Sequence, residues 1–156
     1  MEPTGPITRS KAPAFRAIAS HPTEVIPLQV YVQSTRNNTI MSLVGANSKN
    51  GMLGCLHTAS GGKVGFKKVQ RSGYEAGYQC AISIFKHIRR MQETLPNPYS
   101  TLQLYFNFKG FGQGREGVVR AIASTEGEDI RKLIQRVTDR TPVKIGGTRP
   151  KKRRVL

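Results

Sequence analysis

Residues Thr101 to Phe108 alternate without interruption: Leu102, Leu104, Phe106 and Phe108 are apolar, and Thr101, Gln103, Tyr105 and Asn107 lie between them. A period of two sends the two sets to opposite faces of an extended chain and predicts a β-strand. The same period runs upstream, where Leu28, Val30 and Val32 alternate with Gln29, Tyr31 and Gln33. After the turn residues Arg36, Asn37 and Asn38, Thr39 to Val44 predicts a second strand, and Met52 to Ala59 a third. The polar loop from Asn47 to Gly51 ends in Asn-Gly, a hairpin signal. Three strands joined by short turns make an antiparallel meander.

The pattern then changes period. Ser72-Gly73-Tyr74-Glu75 reads as a capping box, with Ser72 as N-cap and Glu75 reaching back. Tyr74, Tyr78, Ala81, Phe85 and Ile88 recur at three and four residues and give a helix one apolar stripe. Pro96 and Pro98 end that helix. A second, shorter helix runs through Val118, Val119 and Ile122, Thr125 to Asp129 is an acidic turn, and a last strand covers Leu133 to Val137. The order predicts an α/β fold with a mixed five-stranded sheet and two main helices. Residues 28–140 are expected to form one domain, between a basic N-terminal arm over 1–27 and a basic C-terminal tail over 141–156.

Charge narrows the function. The chain carries 25 Lys and Arg against 9 Asp and Glu, a formal net charge of +16, and its last sixteen residues contain no acid. A tail of this kind gains free energy on a polyanion, because each neutralised phosphate releases a condensed counterion. No run approaches the roughly 20 apolar residues of a membrane span, so no membrane partner is expected. Cys55 and Cys80 form no CxxC and share no ligand spacing with His21, His57 or His87, so neither a disulfide nor a metal site is expected. The N-terminal arm holds five prolines; its acids are Glu2 and Glu24. It fits a disordered basic arm or part of an organelle-targeting segment.

Gly112-Gln-Gly114-Arg-Glu-Gly117 satisfies the dinucleotide fingerprint in form, after a strand and opening a helix. A dinucleotide fold needs more parallel strands after this unit, and only the tail remains. The loop is better read as a phosphate cradle, with close backbone approach at its glycines, free N–H groups at the helix start, and Lys109 and Arg115 beside them. A second basic loop before the long helix carries Lys63, Lys67, Lys68 and Arg71, with Phe66 as a core plug or a base-stacking ring. The acids are scattered over turns and helix surfaces, with none in the first strand, and no nucleophile has a base set beside it, so no enzyme, cofactor or small-molecule substrate is expected. Lys151, Lys152, Arg153 and Arg154 form a basic run that fits RNA contact or, as a rival, nuclear import of a nucleic-acid-binding protein.

Five segments together carry a family resemblance: Ser34 to Ile40, Gly65 to Lys68, Lys109 to Gly117, Val137 to Pro142, and Gly147 to Val155. In their order and spacing the chain resembles the universal eleventh protein of the small ribosomal subunit, from Val30 to Leu156. The resemblance implies a ribonuclease H-like sheet without an active site. It also implies a place on the subunit platform near the messenger exit, with ribosomal RNA, neighbouring platform proteins and nearby messenger RNA as partners. By position, Asn37, Asn38, Lys67, Lys68, Lys109, Arg115, Arg149 and the tail cations are expected to touch RNA; Lys63 and Arg71 join them from the basic loop. Where the family carries Pro-His-Asn-Gly-Cys, this chain has Lys144-Ile-Gly-Gly-Thr148. With lengthened loops at 45–51 and 93–100, that departure points to a mitochondrial member rather than a bacterial or cytosolic one.

Overall fold

The computed structural model describes residues 25–47, 51–95, 101–152 and 155. The N-terminal arm before residue 25, residues 48–50 of the hairpin loop, the proline turn after the long helix, and Arg153, Arg154 and Leu156 lie outside the described residues. The alternating segments form five strands: β1 (Val25–Ser34), β2 (Thr39–Asn47), β3 (Gly51–Ser60), β4 (Thr101–Lys109) and β5 (Ile134–Asp139). They build one sheet in the order β3-β2-β1-β4-β5. The first three strands pair antiparallel, as the meander requires. β4 joins β1 parallel, and β5 joins β4 parallel, so each is reached by a helical crossover.

The period of two decides which face is buried. In β1 and β4, Leu28, Val30, Val32, Leu102, Leu104, Phe106 and Phe108 are buried, while the residues between them are not. All three helices, α1 (Tyr74–Thr94), α2 (Gln113–Ala123) and α3 (Glu128–Leu133), cover that one face. They place Ile84, Phe85, Ile88, Val118, Ala121 and Ile130 in a single core with the strands. Burying one large apolar side chain this way contributes about 1.5–3 kcal/mol. Cys80 sits inside the core, and burial pushes its thiol up to about 11. The opposite face is covered by no described helix.

Four expectations need correction. The capping box does not form. Ser72 closes a 3-10 turn over Lys68–Ser72 by donating from Oγ to the Val69 carbonyl at 2.8 Å. α1 therefore starts one residue later, from Gly73, without a side-chain cap, and Glu75 accepts from Gln79 instead. The buried stripe of α1 is turned slightly from the expected one: it runs through Ala76, Gly77, Cys80, Ala81, Ile84, Phe85 and Ile88 and leaves Tyr74 exposed. The segment after α2 holds a third short helix, because Ile130 is drawn into the core, and the last strand lies one to two residues later than expected. β1 begins at Val25, inside the segment assigned to the arm, because Val25 pairs with Thr101.

Candidate nucleic-acid interface

The end of the sheet is organised by a four-residue turn between β1 and β2. Thr35 N–H donates to the Asn38 carbonyl at 2.9 Å, and the Thr35 hydroxyl both donates to that carbonyl and accepts from Asn38 N–H. These bonds close the turn, and Arg36 and Asn37 at its tip are exposed. Asn38 turns inward, and its Oδ1 is buried without a hydrogen-bond partner among the described residues.

Two other segments close around this turn. The loop from Gly110 docks on β1, where Gly112 N–H donates to the Ser34 carbonyl at 3.1 Å. The 3-10 turn brings Lys68, Val69 and Arg71 to the other side. Between them lie two hollows of about 600 and 520 Å³ that share Arg36, Val69 and Ser72. They form one groove. Arg36, Lys68 and Arg71 supply its cations, and no acid is among its described lining residues. Phe111 and Val69 stand in it 79% and 85% exposed. Lys68 has a left-handed backbone, φ 49°, which is unfavourable for a residue with a Cβ.

The expected RNA-binding residues separate into groups. Asn37, Asn38, Lys68 and Arg71 line the groove, and Lys67 is exposed at the start of the 3-10 turn. Lys63 is tied back to β3, its Nζ donating to the Thr58 carbonyl at 2.8 Å. Lys109 is not in the groove. It sits at the end of β4 on the uncovered sheet face, beside Arg140. Arg149, Lys151 and Lys152 are exposed along an irregular tail.

Arg115 is held within the protein. Its guanidinium donates to the Asp139 carboxylate at 2.9 Å and to the Gly110 carbonyl at 3.2 Å, and it lies 5.2 Å from the ring centres of both Phe108 and Phe111. Thr141 adds hydrogen bonds from its hydroxyl and backbone N–H to Asp139, and with Arg115 these lower that carboxyl to about 2. The pair therefore fixes the Gly-rich loop and the start of the tail against the end of the sheet.

The glycines of that loop also face inward. A Cβ on Gly112 would lie 2.3 Å from the Thr35 carbonyl oxygen, and one on Gly117 would lie 2.2 Å from the Tyr74 carbonyl oxygen. The close approach expected toward phosphate is made toward protein backbone instead. The N–H groups of Gly110, Gly112 and Arg115 are likewise bonded within the protein. Arg36, Val69, Phe111 and Gln113 were not foreseen as groove residues. Phe111 had a signal: a large aromatic between two glycines belongs to no apolar stripe. Phe66 is half-buried and lies outside both the core and the groove.

These features define a class: a one-sided α/β sheet protein with an acid-free cationic groove at the end of the sheet. The family described as Ribosomal protein S11 matches residues 29–155. The chain is 34% identical over 134 residues to the small ribosomal subunit protein uS11m of Schizosaccharomyces pombe, over 85% of this chain and 55% of that one. It is 34% identical to uS11m of Neurospora crassa, over 86% of this chain and 33% of that one. To uS11 of Borreliella burgdorferi it is 32% identical over 125 residues, 80% of this chain and 82% of that protein. The chain thus spans about half and about a third of the fungal relatives it matches. It belongs to the ribosomal protein S11 family.

Proposed function

We propose that the chain is a structural, non-enzymatic component of the small ribosomal subunit and that it holds ribosomal RNA through the groove at the end of its sheet. Family membership supports the ribosome. The observation that carries the RNA site is the groove itself: Arg36, Lys68 and Arg71 converge around a turn closed by the Thr35–Asn38 hydrogen bonds, with no acid among the described lining residues. Cations and amides so arranged suit phosphate oxygens and 2′-hydroxyls. Arg115 and Asp139 position the loop that carries Phe111, and the acid-free tail extends the contact.

The sheet order, with an antiparallel meander followed by β4 parallel to β1 and β5 parallel to β4, supports the ribonuclease H-like arrangement that the family resemblance implies. That resemblance also supports a position on the platform near the messenger exit, among neighbouring platform proteins. Similarity to two fungal uS11m proteins supports the mitochondrial ribosome as the location. The RNA site is tested by titrating the full chain with a folded fragment of small-subunit ribosomal RNA. Replacing Arg36, Lys68 and Arg71 together by Ala lowers affinity and reduces the salt slope by roughly 2–3 units. Unchanged affinity and slope remove the groove from the proposal.

A further inference from the structure

The sheet face that the helices leave uncovered is ordered in rows across the strands. The middle row runs Ser42, Tyr31, Asn107, Thr138 from β2 to β5. The row beside it holds Val44, Gln29, Tyr105 and Arg136. At the end of the sheet, Ile40, Gln33 and Lys109 pair across β2, β1 and β4, and Arg140 follows β5 with its N–H on the Phe108 carbonyl. A hollow of about 380 Å³ opens there between Tyr31, Gln33, Asn107, Lys109 and Arg140. Among the described residues these rows contain two tyrosines, several amides, three cations, two aliphatic side chains on β2 and no acid.

The tyrosines are positioned rather than loose. Tyr31 donates its hydroxyl to Gln29, and Tyr105 donates to Gln103 at 3.1 Å. Each partner lies two residues back on the same strand, so both side chains lie along neighbouring parallel strands and lean in the same direction. Both are only partly buried.

We propose that this face is a second RNA surface, which takes an unpaired stretch of RNA with bases on Tyr31 and Tyr105 and its phosphates along Lys109, Arg136 and Arg140. Aromatic rings on an open sheet accept any base through its π-face, and flanking amides meet base edges and 2′-hydroxyls. The groove described above is separate from it: Lys109 and the tyrosines line no part of that groove. A protein partner suits the face less well: its aliphatic side chains, Val44 and Ile40, stand apart on β2 on either side of Ser42, and from β1 to β5 the rows are polar and cationic, so they form no continuous dry interface core. The proposal shares with the proposed function only the class of ligand.

The test uses the full chain and two probes, a short unstructured pyrimidine ribo-oligonucleotide and a folded small-subunit RNA hairpin. Three variants are compared: Y31L/Y105L, Y31F/Y105F, and the groove variant R36A/K68A/R71A. Circular dichroism confirms that each is folded, and the Phe variant keeps both rings should the Leu variant fail to fold. The expected result is that Y31L/Y105L loses about fivefold or more in affinity for the oligonucleotide per ring removed. Y31F/Y105F keeps that affinity, and photo-crosslinks from wild-type protein map to the Tyr31 and Tyr105 peptides. Oligonucleotide affinity unchanged in the Leu variant, or crosslinks confined to the groove, overturns the proposal. So does tighter binding of an acidic peptide than of the oligonucleotide, which would assign the face to a protein. The groove variant separates the two readings, since its loss of hairpin binding reports on the proposed function alone.

Discussion

Gly114 and Thr39 are packed so closely that a Cβ on Gly114 would lie 1.9 Å from the Thr39 hydroxyl oxygen. Thr39 is fully buried, and its hydroxyl pairs with that of Ser34 at 3.3 Å, so it has little room to move. On the other side, a Cβ on Gly77 of α1 would lie 2.2 Å from the Gly114 carbonyl oxygen. Two glycines thus set the spacing here: Gly114 that between α2 and the start of β2, and Gly77 that between α1 and α2.

Gly114→Val is therefore predicted to act on folding. Overpacking costs about 1–3 kcal/mol, or more where backbone must shift. Thermal unfolding of the variant should show a lower midpoint, with RNA binding weakened only in proportion to the unfolded fraction. A variant of wild-type stability that fails to bind RNA would show that the glycine faces the ligand after all.

The contact of Arg115 with Asp139 gives a pH prediction. The folded-state pKa of Asp139 is about 2, below its ordinary value of 3.8. The stabilisation from this ionised group is complete above about pH 4 and is lost as the pH falls toward 2. Asp139→Asn should unfold at lower denaturant than wild type at pH 6, and the two curves should converge between pH 4 and 2. A difference that persists unchanged at pH 2 would mean that ionisation of Asp139 contributes nothing.

Much of this architecture could be read from the amino-acid pattern, and the failures have physical causes. The alternation in Leu28 to Val32 and in Thr101 to Phe108 assigns β1 and β4 and also their buried faces, because a period of two admits one solution. The groove was only partly legible. Lys109 and Arg115 are near neighbours in sequence, yet the strand end sends one to the open face and the loop ties the other to Asp139. That carboxylate comes from β5, 24 residues on, and no local pattern announces it. The glycines were recognised as places of close approach, but what approaches is decided by tertiary packing. Ser72 had the right type for an N-cap and was taken by a 3-10 turn that single-residue signals do not distinguish.

Lys68 should respond in opposite directions in stability and binding. Its left-handed backbone, φ 49°, favours glycine there. Lys68→Gly is predicted to leave stability unchanged or raise it by up to about 1 kcal/mol, while weakening RNA binding and lowering the salt slope by roughly one unit. Chemical denaturation and salt-dependent titration on one preparation check both. A destabilised variant would show that the Lys68 side chain holds the 3-10 turn.

Replacing Lys151, Lys152, Arg153 and Arg154 together by Ala is predicted to reduce the salt slope of RNA binding by roughly 3 units and to leave the unfolding midpoint where it is. The described part of that tail is exposed. An unchanged slope would exclude the tail as a phosphate contact.

Gradient sedimentation of a tagged full chain from whole-cell and mitochondrial lysates, with and without ribonuclease, tests the central claim most directly. The expected result is co-migration with the small ribosomal subunit in the mitochondrial fraction, lost on ribonuclease treatment and weakened by the R36A/K68A/R71A variant. Migration as a free small protein, with or without ribonuclease, would contradict it.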